Sequence, residues 1–200
     1  MPEISLTDFV DFVISSGTPK LSKVRQIKER GEYKPAFDFW KPIREGVVSF
    51  HRSRSQDRRD LDRILTPIDD PNKLGKYPDC IRGYRRFLGR KRITWFNPPS
   101  GRWGPRNLTI RVNPELGLNI NGVPHIVKLY FKKDPLSRRR VDIIILLLHA
   151  ALGRTARQGT HYAILDVPRG RLFEDDAPST SLLPLLRGEA MSFVTMWESI

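Results

Sequence analysis

Apolar and polar positions change period near the middle of the chain, from helical spacing to strand alternation. In SLTDFVDFVISSG, Phe9, Val10, Val13 and Ile14 recur at helical intervals, with Ser5 or Thr7 as N-cap and Gly17 as the stop. PKLSKVRQIKERG predicts a basic helix ending near Gly31, followed by a turn through Pro35 and a helix over 38–51 with Pro42 in its first turn. The charged, proline-punctuated stretch from 52 to 79 predicts loop with a helical turn over 60–65. YPDCIRGYRRFLGR then reads as a helix closed by Gly89. From there the pattern turns to β: a strand over Ile93–Phe96, a Pro-Pro-Ser-Gly turn, and strands from 108 onwards.

DPLSRRRVDIIILLLHAALG carries a continuous apolar run over 141–148, with Asp134 or Ser137 as cap and Gly153 as the end, and predicts a buried crossover helix. THYAILDVPRGRLFE predicts a hairpin that extends the sheet, EDDAPSTS a loop, and the tail from 182 a closing amphipathic helix. The expected fold class is α/β or α+β in a single domain over 1–200. Residues 1–90 are mainly helical, 91–174 form a mixed sheet with its crossover helix, and 181–200 close the fold.

The most informative stretch is RVNPELGLNINGVPHIVKLYFKK, over 111–133. A two-residue type I′ turn at Asn121-Gly122 sets Ile120 against Val123 and fixes every earlier pair. One face then carries Val112, Pro114, Leu116, Leu118 and Ile120 opposite Phe131, Leu129, Val127, His125 and Val123. The other carries Arg111, Asn113, Glu115, Gly117 and Asn119 opposite Lys132, Tyr130, Lys128, Ile126 and Pro124. The first face predicts core. The second sets Glu115 across from Lys128 on a polar surface, either as a cross-strand ion pair or as part of a reaction centre, with Gly117 opening space beside it.

Composition adds a partner class. Lysine and arginine number 35 against 22 acids, giving a net charge of +13 and a pI near 10.3, which favours a polyanion through long-range attraction and counterion release. Between Asp79 and Glu115 there is no acid, while Arg82, Arg85, Arg86, Arg90, Lys91, Arg92, Arg102, Arg106 and Arg111 are basic. Tyr84, Phe87, Trp95, Phe96 and Trp103 are interleaved with them. This is the composition of a surface that grips phosphates and stacks on bases, although Phe87, Trp95 and Phe96 read better as core. DNA or RNA is the expected partner; Arg82, Arg85, Arg86, Arg90, Lys91, Arg92, Arg102, Trp103, Arg106, Arg111 and Lys132 are the candidate contacts.

Other classes find less support. No apolar run is long enough to span a bilayer, and the N-terminus lacks the basic start and apolar centre of a secretory signal, so a cytoplasmic protein without membrane contact is expected. Cys80 is the single cysteine; nearby arginines would lower the pKa of its thiol, against which stands a plain half-buried helical cysteine. The four histidines show no metal-site spacing, and no phosphate-loop or nucleophile-elbow motif occurs.

The order of a strand with Pro114-Glu115, a hairpin, a strand with Lys128, a helix and a further strand resembles the PD-(D/E)XK, or restriction-endonuclease-like, superfamily. That resemblance covers about 108–173. It implies Glu115 as a magnesium ligand and Lys128 as the group that positions the attacking water. The departure is Ile126, which stands where the family's second carboxylate belongs, and a hard divalent ion needs oxygen there. Asp142, Asp166 or Glu45 would have to supply it.

The functional expectation is therefore a nucleic-acid-binding protein, a degenerate nuclease-like subunit of a nucleic-acid-processing or genome-defence assembly, with no cofactor. One alternative is a magnesium-dependent nuclease using Glu115, Lys128 and a supplementary acid. The other is a structural subunit whose helix over 182–197 makes a homo-oligomer or partner interface.

Overall fold

The structure, a computed structural model of the chain, describes residues 1–31, 38–53, 57–175 and 177–200. A short strand β1 (Glu3–Ser5) leads into α1 (Leu6–Ile14), whose N-cap is Ser5: its hydroxyl accepts from Asp8 N at 3.1 Å. Then come α2 (Thr18–Arg30), α3 (Lys41–Arg52), a 3-10 turn (Arg58–Ile64) and α4 (Pro71–Leu88). Strands β2 (Ile93–Phe96), β3 (Gly101–Trp103), β4 (Thr109–Val112), β5 (Leu116–Ile120) and β6 (Val123–Tyr130) follow. The chain closes with α5 (Arg138–Leu152), β7 (His161–Asp166), β8 (Arg171–Asp175), a 3-10 turn (Thr180–Leu182) and α6 (Leu183–Ser199).

Two mixed sheets make this an α/β fold. The larger runs β2-β5-β6-β7-β8, and the smaller β1-β4-β3. Within the larger, β6 and β7 are parallel, so the chain must cross the sheet between them, and α5 makes that crossover. Its apolar residues have no polar face because both sides are covered: Val141 and the run 143–148 are all buried.

Helices cover both faces of the large sheet. One core joins α1, α2, α5, α6 and the small sheet to Ile126, Tyr130, Tyr162 and Ile164. The other joins α3, the first 3-10 turn and α4 to Leu116, Leu118, Ile120, Val127, Leu129, Ala163 and Leu165 on the opposite face. Period-two alternation along β6 and β7 feeds the two cores in turn, whereas β5 gives Leu116, Leu118 and Ile120 to the second core alone.

Several expected elements differ. The turn through Pro35 lies outside the described residues. α4 starts at Pro71, well before Tyr77, because Asp70 caps it through Asn72 N at 2.8 Å and Pro71 occupies the first turn; Pro78 sits inside the helix. The Pro-Pro-Ser-Gly turn opens directly into a strand, β3. The Asn-Gly turn forms as expected, with φ of 52° at Asn121 and 96° at Gly122, and the register holds from Leu116↔Val127 to Ile120↔Val123.

Before Leu116 the hairpin fails. Residues Thr109–Val112 leave for the small sheet, where β4 pairs in parallel with β1 and antiparallel with β3. Pro114 has no N–H to extend the ladder with β6, and Ile110 and Val112 are fully buried in the first core. The expected polar face is also covered. Ile126 is fully buried, and the space over Gly117 is filled by Phe96, whose carbonyl oxygen would lie 2.4 Å from a Cβ there.

Candidate nucleic-acid interface and the Glu115–Lys128 pair

Glu115 and Lys128 do meet. Lys128 Nζ donates to Glu115 Oε1 at 2.5 Å and to Asn113 O at 3.1 Å. The other carboxylate oxygen, Oε2, accepts from Leu129 N at 2.8 Å. Because the chain turns away at Pro114, Leu129 N–H loses the backbone partner a longer hairpin would provide, and the Glu115 side chain takes that place. Both side chains are largely buried, 12% and 15% exposed, so the pair closes the corner where the two sheets diverge.

The supplementary acids do not join them. Asp142 pairs with Arg138 at 2.9 Å, and Asp166 is buried on β7 opposite Tyr130, paired with Arg169 at 3.2 Å. Glu45 lines a shallow depression with Arg44, Val48, Ser49, Arg52 and Glu115, but its ion-pair partner is Lys41, at 3.7 Å. Among the described residues, no set of three metal-ligating side chains includes Glu115.

The basic region divides into latched and free cations. Arg85 donates to Arg58 O at 3.0 Å and to Asp62 at 2.6 Å, Arg86 to Arg169 O at 3.3 Å, and Arg82 pairs with Asp79. Lys91 donates to Phe87 O and lies 5.1 Å from the centre of its ring; Lys132 is held by Asp11 at 2.6 Å. By contrast, Arg90, Arg92, Arg102 and Arg106 are exposed and carry no side-chain partner among the described residues. Register brings two arginines face to face, since Arg102 lies directly opposite Arg111 in the β3–β4 ladder. With Ser100, Gly101 and Asn113 they line a shallow polar depression, and Arg111 reaches Glu3 at 3.4 Å.

The aromatic residues serve the cores. Tyr84 and Phe87 are buried, and Trp103 packs on Phe9 with ring centres 5.8 Å apart, which leaves it only part-exposed for stacking. Trp95 stacks on His51, with Arg52 5.6 Å from its ring centre. His51 is 7% exposed and its Nε2 lies 2.5 Å from the Tyr84 hydroxyl. Burial pushes its pKa down to about 4, so the ring is neutral and shares a single hydrogen bond with the Tyr84 hydroxyl. Cys80 is a buried residue of α4 rather than a reactive thiol: burial first, then Asp79 and Asp166, push its pKa up to about 12.

One group escaped the sequence reading. The parallel register sets His125 beside His161, and the β7–β8 ladder brings Glu174 next to them. No local motif carries this signal, since the three residues are joined only by strand pairing. α6 docks Leu186, Ala190, Phe193 and Val194 inside its own chain, leaving Leu185 and Met191 exposed. No helix among the described residues is long and apolar enough to cross a membrane. No protein-family model matches the chain, and neither does any curated protein or solved structure.

Proposed function

We propose that this chain binds nucleic acid, DNA or RNA, through the arginine-lined surface of β3 and β4, extended by Arg90, Arg92 and Arg106. The observation that carries the reading is the Arg102–Arg111 pair. Like charges directly opposite each other in a ladder are unfavourable, by up to about 0.2–1 kcal/mol where nothing offsets them. Glu3 meets Arg111 from the neighbouring strand but leaves Arg102 without an acid among the described residues, and phosphate seated between the arginines adds two charge-assisted contacts. Ser100 and Asn113 border the same depression with neutral donors. The net charge of +13 supplies the long-range attraction.

The reading favours binding over magnesium-dependent cleavage, because both Glu115 oxygens are engaged by Lys128 and Leu129 N. As a subunit of a larger nucleic-acid-processing assembly, the chain would contribute this surface.

Fluorescence anisotropy with single-stranded RNA, single-stranded DNA and duplex DNA over a salt series tests it. The variant of choice is R102E/R106E, since Arg85 and Arg86 latch the fold and charge reversal there would mix unfolding with lost binding. Affinity should fall, and each lost phosphate contact should reduce the log–log salt slope by about 0.7–0.9. Unchanged affinity and slope on every substrate would refute the assignment.

A further inference from the structure

His125, His161 and Glu174 lie on the face of the sheet that carries Val127, Ala163, Leu165 and Leu172, by the alternation of β6, β7 and β8. His125 is buried, its side chain only 5% exposed, whereas His161 and Glu174 are 30% and 42% exposed. The three side chains thus run from the interior towards solvent.

The hydrogen bonding fixes a tautomer. His125 Nδ1 lies 2.8 Å from Val123 O, a group that can only accept, so Nδ1 carries the proton. In neutral imidazole the remaining nitrogen, Nε2, then presents a lone pair, and it faces Glu174 Oε2 at 2.7 Å. His161 Nδ1 is buried without a hydrogen-bond partner and lies 3.9 Å from the same Glu174 oxygen. Two ring nitrogens and a carboxylate oxygen converge, all within 4.8 Å of one another. A single proton between His125 and Glu174 would satisfy that pair and leave His161 Nδ1 bare. One divalent cation satisfies all three.

We propose that His125 Nε2, His161 Nδ1 and Glu174 form a binding site for a divalent transition metal of the zinc class, with the remaining coordination open to solvent on the Glu174 side. Two imidazoles and one carboxylate are a donor set for borderline ions rather than for magnesium or calcium. The Nδ1–H bond to Val123 O is the outer-shell contact that orients a ligating histidine. Ligand bonds of about 2.0–2.2 Å in tetrahedral geometry place donor atoms about 3.3 Å apart. The 2.7 Å contact must open and the 3.9 Å one close, which calls for movement of the exposed Glu174 side chain together with rotation of the part-exposed His161 ring towards His125, whose ring centre is 5.0 Å away. The site stands apart from the arginine surface and does not depend on the nucleic-acid reading.

The test is calorimetric titration of the full chain, stripped with chelator, with zinc sulfate, repeated with cobalt(II) to read d–d absorption. The expected result is one equivalent bound, with a cobalt spectrum showing nitrogen and oxygen ligation, and affinity falling as pH is lowered because protons compete for imidazole. H161A and E174Q, both at part-exposed positions and checked as folded by circular dichroism, should each bind at least about tenfold more weakly. Absence of stoichiometric zinc binding, or binding that both variants retain in full, would overturn the site.

Discussion

Histidine 51 ties the stability of the fold to pH, and the size of the effect follows from its burial. Free histidine titrates near 6.5, and burial between Phe50, Tyr84 and Trp95 lowers His51 to about 4. Because the folded value lies below the unfolded one, the unfolded chain binds more protons at acid pH. The contribution is present in full above about 6.5 and is lost as pH falls towards 4. At about 1.4 kcal/mol per pH unit the whole gap corresponds to about 3 kcal/mol. About 2 kcal/mol of that disappears between pH 7.5 and 5, before most carboxylates protonate.

The perturbation is His51→Gln, whose amide can either donate to or accept from the Tyr84 hydroxyl and which removes the titrating ring. Urea unfolding followed by tryptophan fluorescence at pH 7.5 and 5 measures the difference. The native protein should lose about 2 kcal/mol more than the variant over that interval. Other titrating groups cancel in the comparison. Equal losses in both proteins, at equal m-values, would show that His51 does not titrate as its burial requires.

Three further outcomes follow from packing and charge. Glu115→Ala removes the partners of Lys128 and of Leu129 N, and chemical denaturation should show a loss of about 1–3 kcal/mol, with Glu115→Gln costing less because it still accepts from Leu129 N. Gly83→Ala drives a methyl to 2.0 Å from Val167 O and 2.5 Å from Pro168 O where α4 rests on the β7–β8 turn; thermal unfolding should show a loss of about 1–3 kcal/mol or more, and a neutral result would mean that this contact is looser. Arg102→Gln should stabilise the free protein by about 0.2–1 kcal/mol at low salt, with the gain shrinking as salt screens the pair; no gain at low salt would remove the like-charge argument.

Much of the fold is legible because it is encoded locally. The Asn121-Gly122 turn fixes β5 against β6 through two positive φ angles, and Ser5 caps α1 within one turn of itself. The unbroken apolar run of α5 announces burial on all sides, and the closing helix expected from 182 forms as α6, with Leu186, Ala190 and Phe193 docked on the body. The start of α4 was less visible because Pro78 reads as a boundary when the earlier Asp70–Pro71 cap is overlooked.

What the sequence by itself determined is the sheet register around the turn, the helices with clear caps, the excess of positive charge and the meeting of Glu115 with Lys128. Each depends on neighbours or on a single tight turn. Tertiary structure decided where the chain would leave its hairpin: β4 departs at Pro114 because β1 and β3 offer it a second ladder, and so Glu115 fills a backbone vacancy at the seam. It also decided which arginines are latched and which are free, and it set His125 beside His161 through parallel pairing across a helical crossover. Those outcomes rest on contacts between segments far apart in the chain, where hydrophobic periodicity gives the face of an element but not its neighbour.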